Sequence, residues 1–270
     1  MPAISLVITS GKGGVGKTTA TANIGTALAM LGKRVCVMDL DLGLRNLDIM
    51  IGLGNRILYD VVDVVQGRAT LHQALVKDTR FEDRLVLLPA AQNADKNVLT
   101  PAAVRQIVAA LRSEFDYILI DCPAGIEQGF RNALAGADGA LVVTTPEISA
   151  MSDADRVIGL IEAYKMPIAP RLIVNRVQAA MIAAGTSLDV AAIAHRLALS
   201  LLGYVVDDNA IITADTRGEP IGFDTQSPAG TCFRNITDRL VDPHVPLLPL
   251  AIKKPGFWQK LFHRGVKRQR

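Results

Sequence analysis

Short runs of β-branched and aliphatic residues alternate along this chain with longer stretches in which apolar positions recur at helical spacing. An apolar run at 4–9 precedes a helical stretch at 19–31, a second run follows at 34–39, and a third at 85–88 leads into a helical 101–112. Runs at 117–121, 140–144 and 171–175 alternate with a helical 152–164. Further on, helical stretches at 188–199 and 229–240 flank a short run at 200–206. This order predicts an α/β fold, a mostly parallel sheet flanked by helices on both faces, with ligands at the carboxyl ends of the strands. From 242 the pattern gives way to DPHVPLLPLAIKKPG, whose four prolines cannot continue a helix. Three parts are therefore predicted: a domain over 1–241, an extended connector over 242–256 and a tail over 257–270.

No run reaches membrane-spanning length, and the first residues lack the basic and apolar regions of a leader, which predicts a protein made and kept in the cytosol. The three cysteines, Cys36, Cys122 and Cys232, have neither CxxC nor metal-ligand spacing, so no disulfide framework or zinc site is indicated. The net charge of +3 is unevenly spread: residues 253–270 hold seven Lys/Arg and no acid, which leaves 22 basic against 26 acidic residues in the body. The tail, rather than the body, seeks anions.

The first apolar run leads directly into SGKGGVGKTT, residues 10–19, which has the GxxxxGK[ST] spacing of a phosphate-binding loop between a strand and a helix. The glycines let Gly11, Gly13, Gly14, Val15 and Gly16 turn tightly, so that backbone N–H groups up to Thr19 face phosphate oxygens beside a helix N-terminus. Lys17 reaches the β- and γ-phosphates and Thr18 offers a hydroxyl to Mg²⁺. This points to binding of ATP or GTP.

Two acidic sites follow apolar runs. Asp39 and Asp41 alternate at the end of the second run, and period 2 puts both on the same side. Asp121, opening Asp121-Cys122-Pro123-Ala124-Gly125, stands where a strand-tip carboxylate holds Mg²⁺ directly or through water. Asn175 ends another run, and a side-chain amide can pair with two edges of adenine, while the guanine-selective NKxD signature is absent here; ATP is the preferred nucleotide.

If Phe257 opens a helix, a turn of about 100° per residue gathers Phe257, Trp258, Leu261 and Phe262 within an arc of roughly 140°, with Val266 at its edge. Lys260, Arg264 and Lys267 fall opposite, and Arg268 alone intrudes on the apolar side. A short basic amphipathic helix of this kind lies in an anionic membrane surface without crossing it, and two joined by a dimer bind far better than one.

GKGGVGKTT, DLDLGLRNLD and DCPAG together resemble the MinD/ParA family of deviant Walker A ATPases, and DLDLGLRNLD is similar to the switch I segment of its MinD branch. The resemblance covers essentially the whole chain. It implies that Lys12 reaches the nucleotide of a second copy in a face-to-face ATP-bound homodimer, that Asp41 orients the attacking water, and that Asp39 supports the magnesium site. It further implies that Asn175 reads adenine, and that Arg45, Asn46, Ser149 and Asp153 mark the dimer and partner surface. The family's partners are the division inhibitor MinC and the stimulator MinE, and its ATPases cycle between cytoplasm and the cytoplasmic face of the inner membrane to place the division septum. Where the family often has proline in a second base-side loop, this chain has Val206-Asp207-Asp208.

The same P-loop fold also serves partition ATPases that bind DNA, regulators of flagellar number and iron–sulfur carriers. An acidic body opposes the first, so no nucleic acid is expected. The segment GLRNLD sets the chain apart from the second, and the isolation of Cys122 opposes the third. A binding module without turnover is hard to reconcile with intact Lys17, Asp41 and Asp121. With neither a glutamine to orient water nor an arginine finger legible, slow intrinsic turnover is predicted.

Overall fold

Strands whose side chains are apolar on both faces need cover on both, and five consecutive residues of Val35–Asp39 (β2) and of Tyr117–Asp121 (β5) are buried without alternation. The computed structural model describes residues 2–95 and 97–250. Within them β1 (Ile4–Thr9) is followed by α1 (Lys17–Met30), and β2 by three short helices, α2 (Leu47–Ile51), α3 (Val61–Val65) and α4 (Leu71–Ala74). Then come β3 (Val76–Asp78), β4 (Leu85–Leu88), α5 (Pro101–Leu111), β5, α6 (Gln128–Ala135), β6 (Gly139–Thr144) and α7 (Ile148–Tyr164). The last part adds β7 (Arg171–Val177), α8 (Ala179–Ala183), α9 (Val190–Arg196), β8 (Ser200–Val206), α10 (Ala210–Arg217) and α11 (Pro228–Val241).

One eight-stranded sheet results, in the order β3-β4-β2-β5-β1-β6-β7-β8. Every pairing is parallel except β3 with β4. β1 lies between β5 and β6, so the loop after it opens at the centre of the carboxyl end. The α/β class and the mostly parallel sheet agree with the sequence reading; the central place of the loop after β1 is set by the strand order.

Local chemistry sets the helix limits. Pro101 occupies the first turn of α5, Thr100 accepts from the Ala103 N–H, and Val104, Ile107, Val108 and Leu111 make its buried stripe. α1 has no single apolar stripe because it is buried on nearly all sides, packed between β1, β2, β5 and α11. The predicted helices at 19–31, 152–164 and 188–199 instead run Lys17–Met30, Ile148–Tyr164 and Val190–Arg196.

Two features differ from expectation. Four- and five-residue helices fill 47–74, where α3 and α4 each begin in a reciprocal capping box, Asp60 with Asp63 and Thr70 with Gln73. And the connector begins docked: Asn235 donates to the Pro246 carbonyl at 3.0 Å and accepts from the Leu248 N–H at 3.3 Å, while Tyr204 donates to the Leu248 carbonyl. Arg239 of α11 reaches the carbonyls of Leu202 and Val245, each at 2.6 Å, and that of Leu201 at 3.2 Å. The rest of the connector and the tail, including Phe257, Trp258, Lys260, Leu261, Phe262, Arg264 and Val266, lie outside the described residues. No described helix is long and apolar enough to cross a membrane.

Candidate nucleotide and metal site

The loop Ser10–Gly16 rises from β1 and turns into α1 through Gly16, whose φ of 100° lies in the left-handed region that glycine tolerates. Lys17, on the first turn, is buried and donates to Ser10 Oγ at 3.1 Å, and Ser10 in turn donates to the Lys12 carbonyl at 2.7 Å. The loop is thus tied across its own neck. Gly11 sits hard against α7, and a Cβ there would lie 2.0 Å from the Asp153 carbonyl oxygen. Asp153 therefore meets the loop with its backbone, and its carboxylate stands 3.9 Å from Arg156.

Lys12 points outward. Its ammonium donates to Glu147 Oε2 and to Ser149 Oγ, each at 3.2 Å. Both partners of the Lys12–Glu147 ion pair are solvent-accessible, so the pair is worth about 0–1 kcal/mol and is cheap to exchange. The sequence reading placed Lys12 on the nucleotide of a second copy; in the single chain it is held by its own Glu147 and Ser149.

Behind the loop the sheet register sets Asp39 of β2 opposite Asp121 of β5. Both are buried, each 1% exposed. Burial first, then the neighbouring charge of Asp39, pushes Asp121 up to about 8 against the Lys17 charge and the hydroxyls of Thr18 and Thr21. Burial likewise pushes Asp39 up to about 7, although the N–H groups of Asp41 and Leu47 bond to its carboxylate and oppose the shift. Two adjacent acids that resist losing their protons ask for a cation, and oxygen donors from Thr18, Asp39 and Asp121 suit a hard one. Among the described residues no three of His, Cys, Asp or Glu gather into a metal cage. Magnesium fits such a set, since it commonly takes one or two carboxylates and completes its shell with phosphate and water.

Asp41 lies just past the end of β2, half-buried, where its N–H meets Asp39. Arg45 pairs with the buried Asp48 at 2.9 Å, and exposed Asn46 immediately precedes α2. Cys122 is buried, and burial pushes its thiol up to about 12, so it is not a reactive thiol. Sequence reasoning missed Glu147, Asp48 and Thr21; the last was legible only from its place one helical turn after Lys17.

An open cleft of about 720 Å³ flanks the loop, lined by Gly16, Thr19, Pro146, Asn175 and Asp207 among others. Asn175 is buried on its near wall and donates to the Val15 carbonyl at 2.8 Å, so part of its amide is already committed to the phosphate loop. Asp208 accepts from Ala210 N–H and Ser227 Oγ, which makes it a clasp between α10 and α11. Asn175→Ala removes the bond to Val15 and is expected to weaken nucleotide binding about 10-fold, measured by titration with a fluorescent ADP analogue.

Comparison with known proteins agrees with this geometry. A family model described as an AAA domain matches residues 3–174. The chain is 54% identical over 257 residues to the septum site-determining protein MinD of Bacillus subtilis, which covers 95% of this chain and 96% of that protein. It is similar to the MinD cell division protein of Aquifex aeolicus (43% identical, TM-score 0.83, 92% of this chain and 100% of that one). A chain of the MinC:MinD cell division protein complex of the same organism is 45% identical, with a TM-score of 0.82 over 92% of this chain and 99% of that one. The septum site-determining protein MinD of Pyrococcus horikoshii, solved with Mg-ADP, is 28% identical, with a TM-score of 0.80 over 89% and 97%. The chain belongs to the MinD family, the P-loop ATPases of the Min cell-division system.

Proposed function

We propose that this chain is a magnesium-dependent ATPase switch that controls septum placement by cycling between cytoplasm and the inner membrane. The observation that carries the reading is the buried pair Asp39 and Asp121, opposite each other at the ends of β2 and β5, with the Lys17 charge acting on Asp121 behind the phosphate loop. Thr18, Asp39 and Asp121 would hold magnesium, which would supply positive charge to the phosphate groups. Backbone N–H groups of residues 11–19 bind the phosphates, Lys17 meets the γ-phosphate, Asn175 faces the base and Asp41 orients the attacking water.

Lys12 has to leave Glu147 and Ser149 before it can serve the nucleotide of a second copy. Exchange of one exposed partner for another of similar strength makes the ATP-bound homodimer accessible. The start of α7, with Ser149 and Asp153, and the segment with Arg45 and Asn46 form the surface offered to a MinC-type inhibitor and a MinE-type stimulator; likeness to the chain in the Aquifex complex supports the first. Two tails brought together on one dimer bind an anionic membrane cooperatively, and hydrolysis releases both.

Sedimentation with anionic liposomes in ATP and in ADP tests the proposal, with a chain ending at Pro255 and duplex DNA as controls. The full chain pellets with lipid in ATP alone, and the shortened chain stays in the supernatant. Binding to DNA and not to lipid would sink the membrane reading.

A further inference from the structure

We infer that Thr21 is a positioning residue that holds the Asp121 carboxylate in place for the metal-bound nucleotide, an inference that rests on the magnesium–ATP reading above. Thr21 lies on α1 one turn beyond Lys17 and is wholly buried. Its hydroxyl oxygen is 3.0 Å from the Lys17 carbonyl and 3.2 Å from Asp121 Oδ1. A helical threonine ordinarily gives its proton to the carbonyl four residues back. Here a second acceptor arrives from β5, 100 residues along the chain. The hydroxyl has one proton and can turn it to either oxygen.

Three groups of α1 act on Asp121: Thr18, Lys17 and Thr21. When nucleotide is bound, the Thr18 hydroxyl is assigned to the metal and Lys17 to the phosphates. Thr21 has no ligand duty, and it alone of the three can go on fixing the carboxylate. It also joins that carboxylate to the helix turn bearing Lys17, so that one hydroxyl links the metal-holding strand tip to the phosphate-holding loop. Partners of this kind, one step removed from the metal, typically change its affinity about 10–100-fold when removed.

The test compares Thr21→Val, which keeps the shape and removes the hydroxyl, with Thr21→Ser, which keeps the hydroxyl. For each full chain, ADP affinity is measured in EDTA, and then the MgCl₂ concentration that gives half of the magnesium-dependent thermal shift at saturating ADP. Thr21→Val should bind ADP in EDTA as the parent does, yet need about 10–100-fold more magnesium, while Thr21→Ser stays near the parent. A parental magnesium midpoint for Thr21→Val overturns the inference, as does a Thr21→Ser variant displaced as far as Thr21→Val. If Thr21→Val does not fold, Thr21→Ala takes its place under the same criteria. A parent chain whose ADP affinity ignores magnesium overturns the magnesium reading itself, and the role of Thr21 with it.

Discussion

Gly11→Ala is expected to destabilise the chain by about 3 kcal/mol and to abolish nucleotide binding. The added methyl would stand 2.0 Å from the Asp153 carbonyl oxygen and 2.2 Å from its carbonyl carbon, both backbone atoms that no rotamer change can move aside. α7 cannot retreat easily, because Ala150, Met151, Ala154 and Val157 bury it against the body. The phosphate loop therefore gives way, and the neck bonds of Ser10 go with it. Gly159→Ala, on the same helix with open space around its Cβ position, is the control and should be neutral or stabilising by about 0.5–1 kcal/mol. Urea unfolding of both variants together with ADP titration checks the pair of outcomes. A Gly11→Ala chain of parental stability would show that the loop does not lean on α7.

Asp121→Asn is expected to make the nucleotide-free chain more stable in mild alkali and to abolish magnesium-dependent hydrolysis. The sign follows from the protons held in each state. Burial pushes Asp39 up to about 7 and, with the Asp39 charge beside it, Asp121 up to about 8, against 3.8 for a free aspartate, so the folded state holds protons that the unfolded state has released. Their contribution to stability is present in acid and is lost as pH rises toward those values, at about 1.4 kcal/mol per pH unit for each proton retained. Asparagine occupies the place with no charge to desolvate and relieves Asp39 of its neighbour. The variant should exceed the parent in mild alkali, by a margin that widens as pH rises from 5 toward 8, with a flatter pH profile. Thermal denaturation from pH 5 to 9 without nucleotide reads this directly. Equal slopes for parent and variant would mean that Asp121 is already ionised in the folded chain.

The parts legible in the sequence share a physical cause. Buried parallel strands are short aliphatic runs with little tolerance at their ends, so 85–88, 117–121 and 200–206 coincide with β4, β5 and β8. The phosphate loop and the two acidic strand tips each lie within a few consecutive residues, so each is legible as a local motif. The short helices of 47–74 were missed because four or five residues cannot display helical period, and capping side chains mark them instead. α10 was missed because none of its residues is fully buried, and β3 because it has only three residues. The clasp of Lys12 by Glu147 and Ser149 and the contact of Thr21 with Asp121 join residues 100 or more positions apart, a relation that only the fold creates.

The docked start of the connector bears on how copies of this protein can meet. A sheet with bare outer strands offers a template on which another chain can extend the ladder. At one margin β8 carries an irregularity in which Leu201 and Gly203 pair with successive residues of β7, so Leu202 is skipped. Arg239 covers the carbonyls of Leu201 and Leu202, and 245–248 lies alongside, held by Asn235 and Tyr204. At the other margin β3 ends after three residues, and Arg56 approaches the Lys77 carbonyl. With both margins of the described sheet blunted, strand addition is a poor route to self-association, so any meeting of two copies has to use side-chain surfaces and not an open ladder.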